Sequence, residues 1–128
     1  MKICLTAQED NLDSLIDPRF GRSQYFIFVD TDTLKFEAIK NPNTDATGGV
    51  GIQSGQLVVE KQIKAVITGN VGPNAFQTLQ TAGIDVITGI SSTIKEAIEK
   101  YKKGELKPTQ NPSVSSKFGM PGKKSEGG

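Results

Sequence analysis

The sequence predicts an α/β fold, a single mixed sheet of five strands in the order 3-2-1-4-5, with strand 2 antiparallel and helices on both faces. Three observations carry this. The second half alternates short, β-branched apolar runs with segments whose apolar residues recur at helical spacing. The first half holds two β-rich runs joined by the short polar DTDT at 30–33, the pattern of a β-hairpin. Between the halves lies KAVITGNVGPN (64–74), a short apolar run that stops at Gly69, turns through Asn70-Val71-Gly72 and meets Pro73. Proline suits the first turn of a helix, where its missing N–H would have no partner anyway. That stretch is strand, glycine turn and helix, and open α/β sheets place ligands at such a turn.

Each element follows from local pattern. Lys2–Ala7 alternates Ile3 and Leu5 with Cys4 and Thr6 and reads as the first strand. Gln8–Arg22 is a long, polar connection, and loops of that length without an element of their own are often functional. Gln24–Asp30 and Leu34–Lys40 form the hairpin, with Leu34, Phe36 and Ala38 on one face of its second strand. Asn41–Gly51 is a loop by every local signal. Ile52–Ile63 follows as a helix, weakened by Gly55 and by the pair Val58-Val59. Ala65–Thr68 is the fourth strand. Ala75, Phe76, Leu79 and Ala82 give the next helix its stripe, and Gly83 ends it. Ile84–Thr88 is the last strand. Thr93 opens the last helix with Glu96 three residues on, the spacing of a capping box, and Gly104 stops it. Right-handed crossovers then leave few topologies, and the one expected among them is the strand order above, a ribonuclease-H-like arrangement. The folded unit is 1–104. Residues 105–128, rich in Pro, Gly, Ser and Lys, are expected to be a disordered tail, with Val114, Phe118 and Met120 as points where it could touch the body.

Composition narrows the function. The net charge is +1, from 15 basic and 14 acidic residues. From Gly104 on, four lysines oppose two glutamates, so the body is near neutral and has no electrostatic footprint for nucleic acid. No apolar run approaches the roughly 20 residues a membrane span needs. The N-terminus is too short in apolar residues for a signal-peptide core. One cysteine, Cys4, excludes an internal disulfide and fits a cytoplasmic setting. There is no histidine, which removes the commonest general base near neutral pH and the commonest metal ligand.

Enzymatic chemistry finds no foothold. Two-metal phosphoryl transfer needs converging carboxylates, one of them on the central strand, and KICLTA has none. Cys4 has no histidine to activate it and, in an apolar strand, reads as a small core hydrophobe. The GGVG cluster at 48–51 does not follow a strand as a dinucleotide fingerprint would. What remains is a rim of loops at one end of the sheet. It gathers Arg19 and Arg22, the Gly48–Gly51 backbone, and Asn70, Gly72 and Asn74, a set suited to an anionic ligand. Each has a plainer alternative. Arg19 could pair with Asp17, Asn70 could serve only the turn, and Phe20 could plug the core.

At DPRFGRSQYFIFVD (17–30), GGVGIQSGQ (48–56) and ITGNVGPNAFQTLQTAGIDV (67–86) the chain resembles the dinitrogenase iron–molybdenum cofactor biosynthesis family, from Met1 to about Tyr101. The resemblance implies a ribonuclease-H-like domain that binds or carries an iron–sulfur or iron–molybdenum cluster, without catalysis, among metallocluster-assembly proteins. It carries over Arg19, Phe20, Gly21, Arg22, Asn70 and Gly72 as rim positions, with Gly48 and Gly49 beside them. No metal ligand carries over, because clusters are usually held by thiolate or imidazole and Cys4 is the only candidate. The expectation is a monomer or weak dimer that binds an anionic ligand at the rim. The alternatives are a metal-free interaction module and a small phosphate or nucleotide binder on the same rim.

Overall fold

The computed structural model describes residues 1–42 and 50–112. Its elements run β1 (Lys2–Ala7), β2 (Tyr25–Asp30), β3 (Phe36–Lys40), α1 (Val50–Val59), β4 (Ala65–Ile67), α2 (Pro73–Thr81), β5 (Asp85–Ile87) and α3 (Ile94–Lys102). The strands form one sheet in the order β3-β2-β1-β4-β5. β2 pairs antiparallel with both β1 and β3, and β1, β4 and β5 run parallel. This is the expected topology, and it sets the carboxyl ends of four strands at one end of the sheet.

The pleat of β1 divides the core. Cys4 faces the side covered by α1 and α2, where Phe20, Phe26, Phe28, Val66, Ala75, Phe76 and Leu79 pack. Ile3, Leu5 and Ala7 face α3, whose Ile94, Ala97 and Ile98 close the opposite side. Alternation with both faces covered is why β1 reads as nearly all apolar.

Several boundaries move, each for a local reason. The hairpin turn is longer than DTDT. Leu34 is not on the strand face with Phe36 and Ala38; it takes a left-handed φ of 63° and its N–H bonds the Asp30 carbonyl at 2.8 Å. Asp30 Oδ1 holds the turn by accepting the Asp32 N–H at 2.8 Å. α1 ends at Val59 rather than Ile63. The Lys61 and Gln62 N–H groups bond three residues back to Val58 and Val59, and Gln62 adopts φ 55°. That left-handed stop drops Ile63 into the core. Gly55 does not weaken α1 as its propensity predicts, because it faces α2: a Cβ there would lie 2.9 Å from Thr78 Cγ2. Both expected glycine stops are present, Gly83 at φ 77° and Gly104 at φ 74°. The capping box of α3 is complete, with Thr93 Oγ1 accepting the Glu96 N–H and Glu96 Oε1 accepting the Thr93 N–H.

The stretch just past Gly104 holds to the body instead of leaving it. Leu106 packs on the α3 side of the core, and the Thr109 N–H bonds the Val86 carbonyl at 2.6 Å. Val114, Phe118 and Met120 lie outside the described residues. Among the described residues no helix is long and apolar enough to cross a membrane.

Candidate functional site

The loops after β1, β4 and β5 meet at the carboxyl end of the sheet. The long one after β1 has no regular element, yet it is tied down along its length. Ala7 and Ile16 form an antiparallel bridge, and Leu15 bridges Thr93. The Ser14 hydroxyl accepts the Gln8 and Glu9 N–H groups at 3.1 and 2.9 Å. The Ile16 N–H bonds the Ser92 carbonyl at 3.0 Å, which fastens this loop to the one before α3.

Asp17 is the anchor of the next turn. Its side chain is buried, and Oδ1 accepts the Arg19 N–H at 3.0 Å while Oδ2 accepts the Gln24 N–H at 3.1 Å. Arg19 Nε lies 3.5 Å from Oδ1, so the arginine charge sits beside a buried carboxylate. Below, the Thr6 hydroxyl donates to the Asp17 carbonyl at 2.8 Å and lies 2.8 Å from the Thr68 hydroxyl. This chain of buried hydroxyls links the ends of β1 and β4 to the loop above them. Sequence reasoning did not single out either threonine. Thr6 stands in apolar β1 and Thr68 just past apolar β4, and only the register that sets β1 beside β4 brings them together.

The glycine turn after β4 then closes on that loop. Arg19 and Asn70 form a parallel bridge, the Phe20 N–H bonds the Asn70 carbonyl at 3.2 Å, and Asn70 Nδ2 donates to the Pro18 carbonyl at 3.2 Å. The approach requires Gly69, because a Cβ there would stand 2.7 Å from Pro18 Cα. On the other side the Gly21 carbonyl accepts from Asn41 Nδ2 at 3.0 Å and from the Ser54 hydroxyl of α1 at 3.1 Å. One carbonyl thus joins the loop after β3, the first turns of α1 and the loop after β1.

The structure places the expected site residues as follows. Arg19, Gly21, Arg22 and Asn70 come together on the rim and are partly buried. Phe20 is 1% exposed and packs against Phe26 with the rings tilted and their centroids 5.5 Å apart, so its side chain belongs to the core. Its backbone, not its ring, takes part in the rim. Gly72 is the N-cap of α2 and has no side chain to cap it. That leaves the first N–H groups of α2 facing the rim end, beside exposed Asn74. Gly48 and Gly49 lie outside the described residues.

Cys4 is remote from this rim. It lies in the middle of the sheet between Phe28 and Val66, fully buried, and burial raises its thiol pKa far above the ordinary value. At neutral pH it is a protonated, inaccessible thiol. Among the described residues there is no cluster of three His, Cys, Asp or Glu side chains able to hold a metal ion. Direct thiolate or imidazole ligation does not fit this site. Backbone N–H groups, guanidinium and amide donors do, and they suit an anion that brings its own ligands.

Comparison with known proteins agrees with the fold. The family model described as dinitrogenase iron-molybdenum cofactor matches residues 1–104. An uncharacterized protein of Methanocaldococcus jannaschii is 31% identical over 109 residues, 83% of this chain and 89% of that protein. The apo form of the orange protein from Desulfovibrio gigas superposes with a TM-score of 0.84 at 35% identity, covering 87% of this chain and 94% of the other. A NifB-like protein from Thermotoga gives a TM-score of 0.73 at 34% identity, over 84% and 91% of the two chains.

Proposed function

The chain belongs to the dinitrogenase iron-molybdenum cofactor family, and from that premise we propose that it is a non-enzymatic carrier that holds an anionic metallocluster as cargo at the loop rim. The observation that carries this reading is the pinning of the Arg19–Arg22 turn onto Asn70 through Gly69, beside the uncapped start of α2. It concentrates N–H, amide and guanidinium donors where open α/β sheets bind ligands. One relative was solved in an apo form, a state defined by a group that protein takes up. The burial of Cys4 supports outer-sphere holding, with the cluster keeping its own sulfide or thiolate ligands. Partners would then be the metallocluster-assembly proteins that load and unload it, in a reducing cytoplasmic setting.

The test uses a thiolate-capped [4Fe–4S] dianion, titrated anaerobically into the purified protein and followed by visible absorption and gel filtration. Co-elution of iron with the protein is expected. Arg22→Ala should weaken binding by roughly tenfold or more, since a charge-assisted hydrogen bond contributes about 1.5–3 kcal/mol. Full competition by inorganic phosphate would favour the phosphate-binding alternative instead. An iron-free protein peak would contradict the proposal.

A further inference from the structure

We propose that the outer face of α1 and α2 is a self-complementary interface whose partner is a second copy of this chain, packed about a two-fold axis. The face stands apart by its charge. Neither VGIQSGQLVV of α1 nor PNAFQTLQT of α2 contains a charged residue, whereas α3 exposes Lys95, Glu96, Glu99, Lys100 and Lys102. In place of charge the two helices expose amides, Gln53 and Gln56 on α1 and Gln77 and Gln80 on α2. Lys61, just past α1, is turned toward the sheet: its Nζ lies 3.2 Å from Glu37 Oε1 and 5.5 Å from the centre of the Phe28 ring. A solvated helix face ordinarily carries charged residues, and their depletion marks the core of a protein–protein contact.

The shape of the face supplies both halves of a contact. α1 and α2 approach closely where Gly55 meets Thr78. Toward their carboxyl ends they leave a groove of about 370 Å³ between them, lined by Gln56, Val59 and Glu60 of α1 and by Thr78, Thr81 and Ala82 of α2. Ile52 is 41% exposed and stands one turn before Gln56 and two before Val59, on the same stripe of α1. An apolar knob and the groove that would receive it therefore share one face, about 10 Å apart along the helix.

Two copies laid with their α1 helices antiparallel bring each Ile52 onto the other's groove beside Val59 and Glu60. The same two-fold sets the two Gln56 side chains against each other at the axis. One patch then serves both sides, as an isologous contact requires. An amide both donates and accepts, so Gln56 can pair with its own copy, which a charged side chain cannot do. A different partner is ordinarily selected by charge of opposite sign, and Glu60 is the one charge lining the groove. Two short helices make a face about 15 Å long and 20 Å wide, smaller than the roughly 800 Å² per partner of a stable complex. The dimer is therefore weak and concentration-dependent. The ligand rim lies at the start of α1, where Ser54 meets Gly21, so the two rims point away from each other and this inference stands independently of the ligand reading above.

The experiment is sedimentation velocity on the full chain from about 10 μM to about 1 mM, the range in which weak complexes assemble. A shift from monomer toward dimer is expected across it. Gln56→Glu and Gln56→Lys would each set like charges against each other at the axis, and Ile52→Glu would set a carboxylate against Glu60 of the second copy. Each should weaken the dimer by about tenfold or more while unfolding thermally as the native chain does, because all three positions are exposed. An equimolar mixture of Q56E and Q56K should associate where neither does alone, a rescue that only two copies of this face meeting at Gln56 can give. A native chain that stays monomeric throughout would overturn the proposal, and so would a dimer that persists in all three variants. A mixture that associates no better than its components would overturn the two-fold packing at Gln56.

Discussion

At Gly69 the whole rim depends on the absence of one methyl group. An alanine Cβ would meet Pro18 backbone at 2.7 Å and its carbonyl at 3.1 Å, and neither can swing away as a side chain tip would. Gly69→Ala should therefore destabilise the protein by about 1–3 kcal/mol, read as a lowered urea midpoint, and should part the Arg19–Asn70 bridge. Cys4 makes a second prediction at this scale. Its thiol should not react with a disulfide reagent in the native protein and should react fully in denaturant. The sign of its pH effect follows from burial. The folded-state pKa is raised, so the stabilisation is complete below the ordinary value of 9.0 and is lost as pH rises above it, because only the unfolded chain ionises there. Stability should fall above pH 9 in the native sequence and do so less in Cys4→Ala. The sequence allows Arg19 either a rim charge or a pairing with Asp17, and the salt bridge to Asp17 is present. Asp17 itself was visible only as a neighbour of Arg19. Nothing in a polar loop shows which carboxylate goes inside, since that is decided by the N–H groups the fold presents to it.

The elements were legible where a chemical signal and a backbone need coincide. The capping box is one case: Thr93 and Glu96 stand at the required spacing, and both hydrogen bonds form. Thr93→Ala should cost about 0.5–2 kcal/mol, measured by chemical denaturation. The Glu96 carboxyl is held below its ordinary value by the Thr93 N–H first and the Thr93 hydroxyl second. A lowered folded-state pKa gives stability that is present above about pH 4.5 and lost as pH falls through the folded value. Glu96→Gln should flatten that acid limb. The end of α1 was not legible in this way. Val58, Val59 and Ile63 continue the apolar pattern, so periodicity carries the helix on, while the left-handed turn at Gln62 leaves no residue-type signature. Leu34 misleads similarly: an apolar residue at strand spacing is placed in the strand, yet the turn held by Asp30 claims it.

For the molecule as a whole, a hairpin followed by βα units narrows the sheet to a few orders, because right-handed crossovers leave few choices, and the family resemblance supports the one observed. That order alone brings four loops to one end. What the sequence could not show is how tightly they are joined there, since the joints are carbonyls and N–H groups common to every residue: Gly21 O to Asn41 and Ser54, Phe20 N–H to Asn70 O, Ile16 N–H to Ser92 O. Family membership supplies an association with metallocluster chemistry, and the burial of the only thiol supports the proposal that an anionic cluster would be held without ligation of its metal. The most direct test is the affinity of Cys4→Ala for the thiolate-capped [4Fe–4S] dianion, measured anaerobically beside the native chain. Equal affinity and equal iron stoichiometry are predicted. Loss of bound iron in a variant that remains folded would show that Cys4 ligates the metal and would contradict outer-sphere holding at the rim.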